Sequence, residues 1–340
     1  MELIFLMPAV SGGGIEVSIP LIVDTLRLPQ DAQVRIVAIN SEQRDIYQVS
    51  AGSIDVDGLG RRSGDLCSTI TSFHLFNELL RNVAGDITLI ANGEVAEVFS
   101  ALTMRKIRRR IVVEHTSQPW KKTRLLGILI RSILKGRKTV WVTVTPQAKK
   151  IFPWINRFTF IPNPVRNVPR TAENQRGDLR LVFIGRLIES KNPKIVCNLS
   201  RELNIPLSVF GSGDLERHLI DEYASSLVKF YGYVNDVWKS IPVTDLLVVP
   251  SLYEGDGRVI AEAISLGQPL ILLDTPDHRR FRLPEKNYFK GEDDLIKKLR
   301  VALEFGSATF AIPFEQQEHI LRERSVGSVS AKWNKLLFDK

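Results

Sequence analysis

The chain has 340 residues, 44% of them hydrophobic, enough to bury two cores of ordinary domain size. Lys and Arg outnumber Asp and Glu by 46 to 38, a net charge of +8, and neither an internal repeat nor a low-complexity tract points to a structural array. Only Cys67 and Cys197 are present, which argues against a disulfide framework and for a reducing compartment.

Glu2 to Met7 is an apolar strand with no basic flank and no cleavage site, so it does not read as a signal peptide. It leads into Gly12-Gly13-Gly14 and a helical run from Val17 to Leu26. Gly13 and Gly14, between strand and helix, would let acceptor or donor phosphates approach the main chain; a tight turn is the alternative. Asp31 to Ile39, Asp86 to Ala91, Arg110 to Val113 and Thr139 to Thr145 read as further strands, with helices at Thr69 to Val83 and Glu94 to Arg105. Alternating strand and helix patterns predict a parallel, doubly wound sheet.

From Arg105 to Lys150 fourteen Lys or Arg face one acid, Glu114, so this segment carries +13 and the remainder −5. The basic residues flank an apolar helix, Leu125 to Leu134. Such a stripe can dock on anionic lipid headgroups or simply form core with a solvated rim. Nucleic-acid binding is disfavoured, because Trp120 and Trp141 are the only nearby aromatics and no nucleic-acid module is recognisable. No apolar run reaches the roughly 18 residues that span a bilayer. These features predict a cytoplasmic protein, peripheral at the inner face of the membrane.

Ile161 to Gly177, with its Asn-Pro and Val-Pro steps, breaks the periodicity and reads as the link between two α/β halves. Beyond it, Leu181 to Ile184 is a strand, followed by Gly185-Arg186 and Lys191, two cations near a helix start that suit a diphosphate. Pro206 to Phe210 is a strand ending in Gly211-Ser212-Gly213; Leu227 to Phe230 is another, ending in Tyr231-Gly232-Tyr233-Val234. Leu246 to Val249 reads as a buried parallel strand, and Val259 to Leu266 as a helix that Gly267 stops before the next strand at Pro269 to Leu273. The loop between them puts Glu254 and Glu262 eight positions apart around Gly255 and Gly257. Two carboxylates placed this way accept hydrogen bonds from vicinal hydroxyls, and the helix N-terminus favours an anion. A polyhydroxylated, phosphorylated ligand fits.

Taken in order, Gly-Arg-Leu-x3-Lys, Gly-x-Gly, Phe-x-Gly-x-Val, Asp-Leu-Leu-Val-Val-Pro-Ser, Glu-x7-Glu-Ala and Gly-x-Pro resemble the retaining glycosyltransferase family four, of bacterial surface-polysaccharide type, closely over residues 181 to 273. The resemblance implies the α/β GT-B fold: two Rossmann-like, doubly wound domains facing across a cleft. Residues 1–165 would bind the acceptor, 166–314 the nucleotide sugar, and the helical tail 315–340 would cross back to the N-terminal domain. It further implies that Arg186 and Lys191 hold the donor pyrophosphate and that Glu262 binds the ribose hydroxyls. Glu254 would face the transferred sugar, with Gly255, Asp256, Gly257, Arg258 and Val259 contacting sugar and phosphate. Gly185, Gly211, Gly213, Tyr233 and Val234 would border phosphate and base, His115 would orient a hydroxyl near the reacting sugar with Glu114 as a second contact, and Asn163 resembles the hinge Asn.

Asp256 and Arg258 depart from the family's usual aromatic and aliphatic residues, and either read a different donor sugar or pair with each other. The expected reaction is metal-independent transfer from a UDP-, GDP- or ADP-sugar, with no other cofactor, to a glycan or lipid-linked glycan. The leaving diphosphate would help to remove the acceptor proton while the two cations stabilise it. A pair of carboxylates also suits glycoside hydrolysis, but a hydrolase has no diphosphate for the cations to neutralise. Other readings are a GT-B sugar-nucleotide epimerase, or a non-catalytic sugar-nucleotide or membrane-surface binding protein.

Overall fold

The computed structural model describes residues 1–9, 14–41, 45–49, 52–116, 120, 123–146, 155, 157–165 and 178–339. The chain forms two compact units, Met1–Pro164 with Val326–Lys340, and Val165–Ser325.

In the first unit β1 (Glu2–Met7), α1 (Gly14–Asp24) and β2 (Gln33–Ala38) are followed by β3 (Asp45–Val49) and β4 (Gly52–Gly58). Then come α2 (Leu66–Arg81), β5 (Ile87–Asn92), α3 (Glu94–Leu102), β6 (Arg109–Glu114), α4 (Arg124–Gly136), β7 (Val140–Thr143) and β8 (Phe158–Phe160). The strands make one sheet in the order β3-β4-β2-β1-β5-β6-β7-β8. All described pairings are parallel except β3 with β4. β1 is buried throughout, and its pleat divides it between two cores. Leu3, Phe5 and Met7 meet Ile19 and Ile22 of α1, whereas Ile4 and Leu6 belong with Phe76, Leu80 and Phe99 of α2 and α3. α1 begins at Gly14 and ends at Asp24, earlier than the Val17 to Leu26 that periodicity suggests. Periodicity does not reveal β3 and β4 at all, because Asp45 to Gly58 lacks the continuous apolar run of a strand covered on both faces.

The second unit comprises β9 (Leu181–Ile184), α5 (Pro193–Glu202), β10 (Leu207–Phe210), α6 (Glu216–Tyr223), β11 (Val228–Phe230), β12 (Leu246–Val249) and α7 (Arg258–Ser265). It continues with β13 (Leu270–Leu273), α8 (Pro276–Arg279), β14 (Tyr288–Phe289), α9 (Glu292–Phe305) and α10 (Phe314–Arg324). Its sheet, β11-β10-β9-β12-β13-β14, is parallel throughout. Leu181, Phe183, Leu246 and Val248 pack against α5 and α9, while Val182, Leu247 and Val249 pack against Ile260 and Ile264 of α7. The chain runs from β9 outward to β11 and returns to the other side of β9 as β12, so the strand order reverses between β9 and β12. Open α/β sheets bind ligands at the carboxyl end of such a reversal.

The segment expected to leave as one tail at residue 315 is divided instead. α10 stays with the second unit, with Ile320 in the core beside α7. The backbone turns extended at Ser325, which bridges Val165, and α11 (Val326–Phe338) joins the first unit. There Val329, Trp333 and Leu337 share a core with α1. Of the expected link, Asn163 is buried, and residues 166–177 lie outside the described residues. No described helix is long and apolar enough to cross a membrane.

Candidate functional site

The β9–β12 reversal gathers most of the expected donor residues. Gly185 and Arg186 leave the end of β9, with Arg186 exposed, and a short 3-10 turn, Glu189–Lys191, carries Lys191. The next turn, Gly211-Ser212-Gly213, is laced to the first: Gly185 N–H donates to Phe210 O at 3.0 Å and Leu187 N–H to Ser212 O at 2.8 Å. These turns approach so closely that a Cβ on Gly211, at φ +125°, would stand 2.0 Å from Gly185 O, and one on Gly213 2.6 Å from Leu187 O. Glycine is required at both by backbone contact. Gly211 N–H also reaches Gly232 O at 2.7 Å, which fixes the β11 loop bearing the exposed Tyr233 and the half-buried Val234. Tyr231 stacks on Phe210, ring centroids 4.8 Å apart.

Beyond β12 the loop crosses towards the β9 side, where Leu252 N–H donates to Ser190 O at 2.9 Å. Here the Lys191 ammonium is paired with the Glu254 carboxylate. Burial alone would raise the Glu254 carboxyl, but Lys191 holds it below the ordinary range by charge and hydrogen bond, helped by His278 and Ser251. Gly257, the helix cap, precedes α7, whose first residues are Arg258 and Val259. Glu262 lies one turn in. Arg258 Nε stands 2.7 Å from Glu262 Oε1, and Trp238 Nε1–H donates to Glu262 Oε2 at 2.8 Å. The Arg258 contact is an ion pair whose N–H points off the line of a hydrogen bond.

Asp256 and Arg258 therefore do not pair with each other. Asp256 is buried and accepts from Arg324 Nη1 of α10 at 2.7 Å; its Oδ2 has no hydrogen-bond partner among the described residues. The helical spacing that turns Arg258 towards Glu262 turns it away from Asp256.

Residues that no motif flagged hold this loop from beneath. Asp277 Oδ2 accepts from Glu254 N–H at 2.9 Å, and Arg280 Nη1 donates to Gly255 O at 2.7 Å. Burial pushes the Arg280 guanidinium below its ordinary pKa, while Asp256 acts in the other direction. All come from Asp274-Thr-Pro-Asp-His-Arg-Arg280, directly after β13. The available signal was that position: a charged run at the carboxyl end of a strand beside β12.

The remaining expected residues lie in the first unit. Gly14 heads α1, and Gly13 lies outside the described residues. His115 follows β6, with Nε2 2.9 Å from Asn92 Oδ1 at the end of β5. Glu114, expected to be a second contact, is instead buried with Glu97 around the Arg131 guanidinium of α4. Strand alternation turns its side chain inward, opposite to that of its neighbour. Burial pushes the Glu114 carboxyl up to about 7 despite Arg131. No group of three or more His, Cys, Asp or Glu suited to a metal occurs among the described residues.

Residues 166–303 match the family model described as Glycosyl transferases group 1. An uncharacterized glycosyltransferase of Methanocaldococcus jannaschii is 28% identical over 148 residues, 39% of this chain and 38% of that protein. The UDP-Gal:alpha-D-GlcNAc-diphosphoundecaprenol alpha-1,3-galactosyltransferase of Escherichia coli is 30% identical over 140 residues, 34% of this chain and 36% of that protein. The matched region thus spans less than two fifths of either relative. The structure of sucrose-phosphate synthase from Thermosynechococcus elongatus aligns with a TM-score of 0.79 over 99% of this chain and 98% of that one, at 13% identity. Anabaena HepE in complex with UDP-glucose aligns with a TM-score of 0.74 over 99% of both chains, at 14% identity. The likeness to these structures shows the fold, GT-B, built of two Rossmann-like α/β domains.

Proposed function

We propose that this chain is a retaining glycosyltransferase that moves a sugar from a nucleoside diphosphate sugar to a growing, lipid-linked surface glycan. The observation that carries this reading is the convergence of Arg186, Lys191, Glu254 and Glu262 at the β9–β12 reversal, beneath the N-terminus of α7. Two cations and free helix N–H groups suit a diphosphate, Glu262 a ribose, and Glu254 a sugar hydroxyl. Charge that develops on the leaving diphosphate would be stabilised by Arg186 and Lys191 without a metal, and His115 would orient a hydroxyl. UDP is the first donor to test, because HepE is seen with UDP-glucose. The name of the Escherichia coli relative, which cites a diphosphoundecaprenol-linked sugar, supports a lipid-linked acceptor.

α4 supports a place at the cytosolic face of an anionic membrane. It turns Ile130, Arg131 and Leu134 inward, while Leu125 is 84% and Leu129 58% exposed beside exposed Arg124 and Lys135. An apolar stripe rimmed with cations matches a headgroup layer.

Calorimetric titration with UDP, GDP and ADP, with and without EDTA, tests the donor site. One nucleotide should bind unaffected by EDTA, and Glu262→Gln should weaken it at least about tenfold, since each lost factor of ten is about 1.4 kcal/mol. Absence of binding by all three would remove the reading. Turnover of a nucleotide sugar without an acceptor would put the epimerase in its place.

A further inference from the structure

Trp238 belongs to none of the sequence motifs, yet its indole is bonded to the carboxylate proposed to hold the ribose. It lies in a 3-10 turn, Val237–Lys239, that Asp236 opens at φ +52° and that Lys239 N–H closes on Asp236 O at 2.9 Å. The ring is buried in the core between β12 and α7, with Ile241, Val249, Ile260 and Ile264. An indole is apolar except for one N–H, which only donates, so a ring locked in a core aims that N–H in one direction. Here it donates to Glu262 Oε2, at 2.8 Å. The other oxygen, Oε1, stands 2.7 Å from Arg258 Nε, but that N–H is off the line of a hydrogen bond, and Oε1 receives none among the described residues.

The two oxygens of Glu262 are therefore held differently. The last torsion of a glutamate is broad, so nothing in the side chain itself sets the plane of its carboxylate. Arg258 attracts Oε1 by charge, which does not define that plane, whereas Trp238 fixes Oε2 by a directional bond. A ligand hydroxyl gains nothing by replacing the indole, because the buried N–H would then be left unpaired. Oε1 keeps its lone pairs for the ligand. We infer that Trp238 is the positioning residue of the ribose site: it pins Oε2 and so presents Oε1 to a hydroxyl of the ribonucleotide, acting through Glu262. The consequence is selectivity. A site built to bond a hydroxyl rejects the analogue that lacks it, but only while the acceptor is held in place.

The inference rests on the proposed donor site, and paired titrations separate the two. UDP and 2′,3′-dideoxy-UDP are titrated calorimetrically into wild type and into Trp238→Phe, whose ring fills much of the same space without the donor. Wild type should prefer UDP at least about tenfold, and the variant should lose at least about threefold of that preference, with its affinity for dideoxy-UDP unchanged. Equal weakening of both nucleotides would mean that Trp238 only supports the fold around it, and an unchanged preference that Glu262 needs no such partner. Either result overturns the inference while the donor site stands. If UDP does not bind wild type, the UDP site fails; if wild type binds both nucleotides alike, the ribose contact fails, and the role of Trp238 with it. Indole N–H NMR of the wild-type chain, which has five tryptophans, gives a reading that needs no variant. The Trp238 signal should move further at saturation with UDP than with dideoxy-UDP, and equal displacement overturns the inference.

Discussion

Glu114 is the last residue of the parallel strand β6 and Glu254 lies in the loop that follows β12, and their surroundings drive them in opposite directions. Burial raises Glu114 to about 7, because the single Arg131 guanidinium is shared with Glu97. Glu254 is also desolvated, yet its own partner, Lys191, takes it below the ordinary carboxylate range. The signs of the stability effects follow. Folded Glu114 binds its proton more tightly than in the unfolded chain, so stability falls as pH rises from the ordinary carboxyl range through about 7. The lowered pKa of Glu254 contributes stability above its unfolded value, and that contribution is lost as pH falls. Glu114→Gln should therefore flatten the decline of Tm between pH 5 and 8, removing at most about 3 kcal/mol of pH dependence. An unchanged slope in parallel melts would show that Glu114 keeps an ordinary pKa. Asp256 makes a related point: its identity marks a departure from the family pattern, but its partner, Arg324, is 68 residues away and appears only once α10 docks on α7.

At the scale of elements, the strands β9, β10, β12 and β13 were legible because a strand covered on both faces reads as a continuous apolar run. Gly211 and Gly213 were legible as breaks, but the reason they are glycines, carbonyl oxygens of the neighbouring turn, lies in the pairing of β9 with β10. α8 escaped notice because four residues are too short for any periodicity to register. α11 shows how far an element can act from its place in the chain. Trp333, 3% exposed, shares a core with Ile19 and Ile22 of α1. Trp333→Ala should cost about 3–5 kcal/mol in the unfolding of the first unit, read by denaturant titration. A loss below about 1 kcal/mol would mean that α11 is not an integral part of that core.

Over the whole molecule, the net charge of +8 hides a segment at +13 and a remainder at −5. Leu125, Leu126 and Leu129 of α4 are exposed within that basic segment, although Ile130 and Leu134 of the same helix are core. Wild-type protein should co-sediment with vesicles containing phosphatidylglycerol but much less with neutral ones, since each cation near an anionic surface contributes about 1 kcal/mol. Leu125→Asp combined with Leu129→Asp should abolish binding, and added salt should weaken it. Equal binding to both vesicle types would remove the electrostatic part of the proposal.

By itself, the order of apolar runs and glycine breaks determined the α/β class, the parallel sheets and the strand ends at which Arg186, Lys191, Glu254 and Glu262 would stand. These are local properties: burial on both faces writes itself into the central strands, though not into β3 and β4, and a close turn into the glycines it requires. Only the tertiary structure decided which charges meet. Lys191 with Glu254, Asp256 with Arg324, and Glu114 with Arg131 are brought together by strand order and helix docking. A charged side chain shows its type in the sequence, but its partner is chosen by packing across the fold, where distance in space is unrelated to distance along the chain.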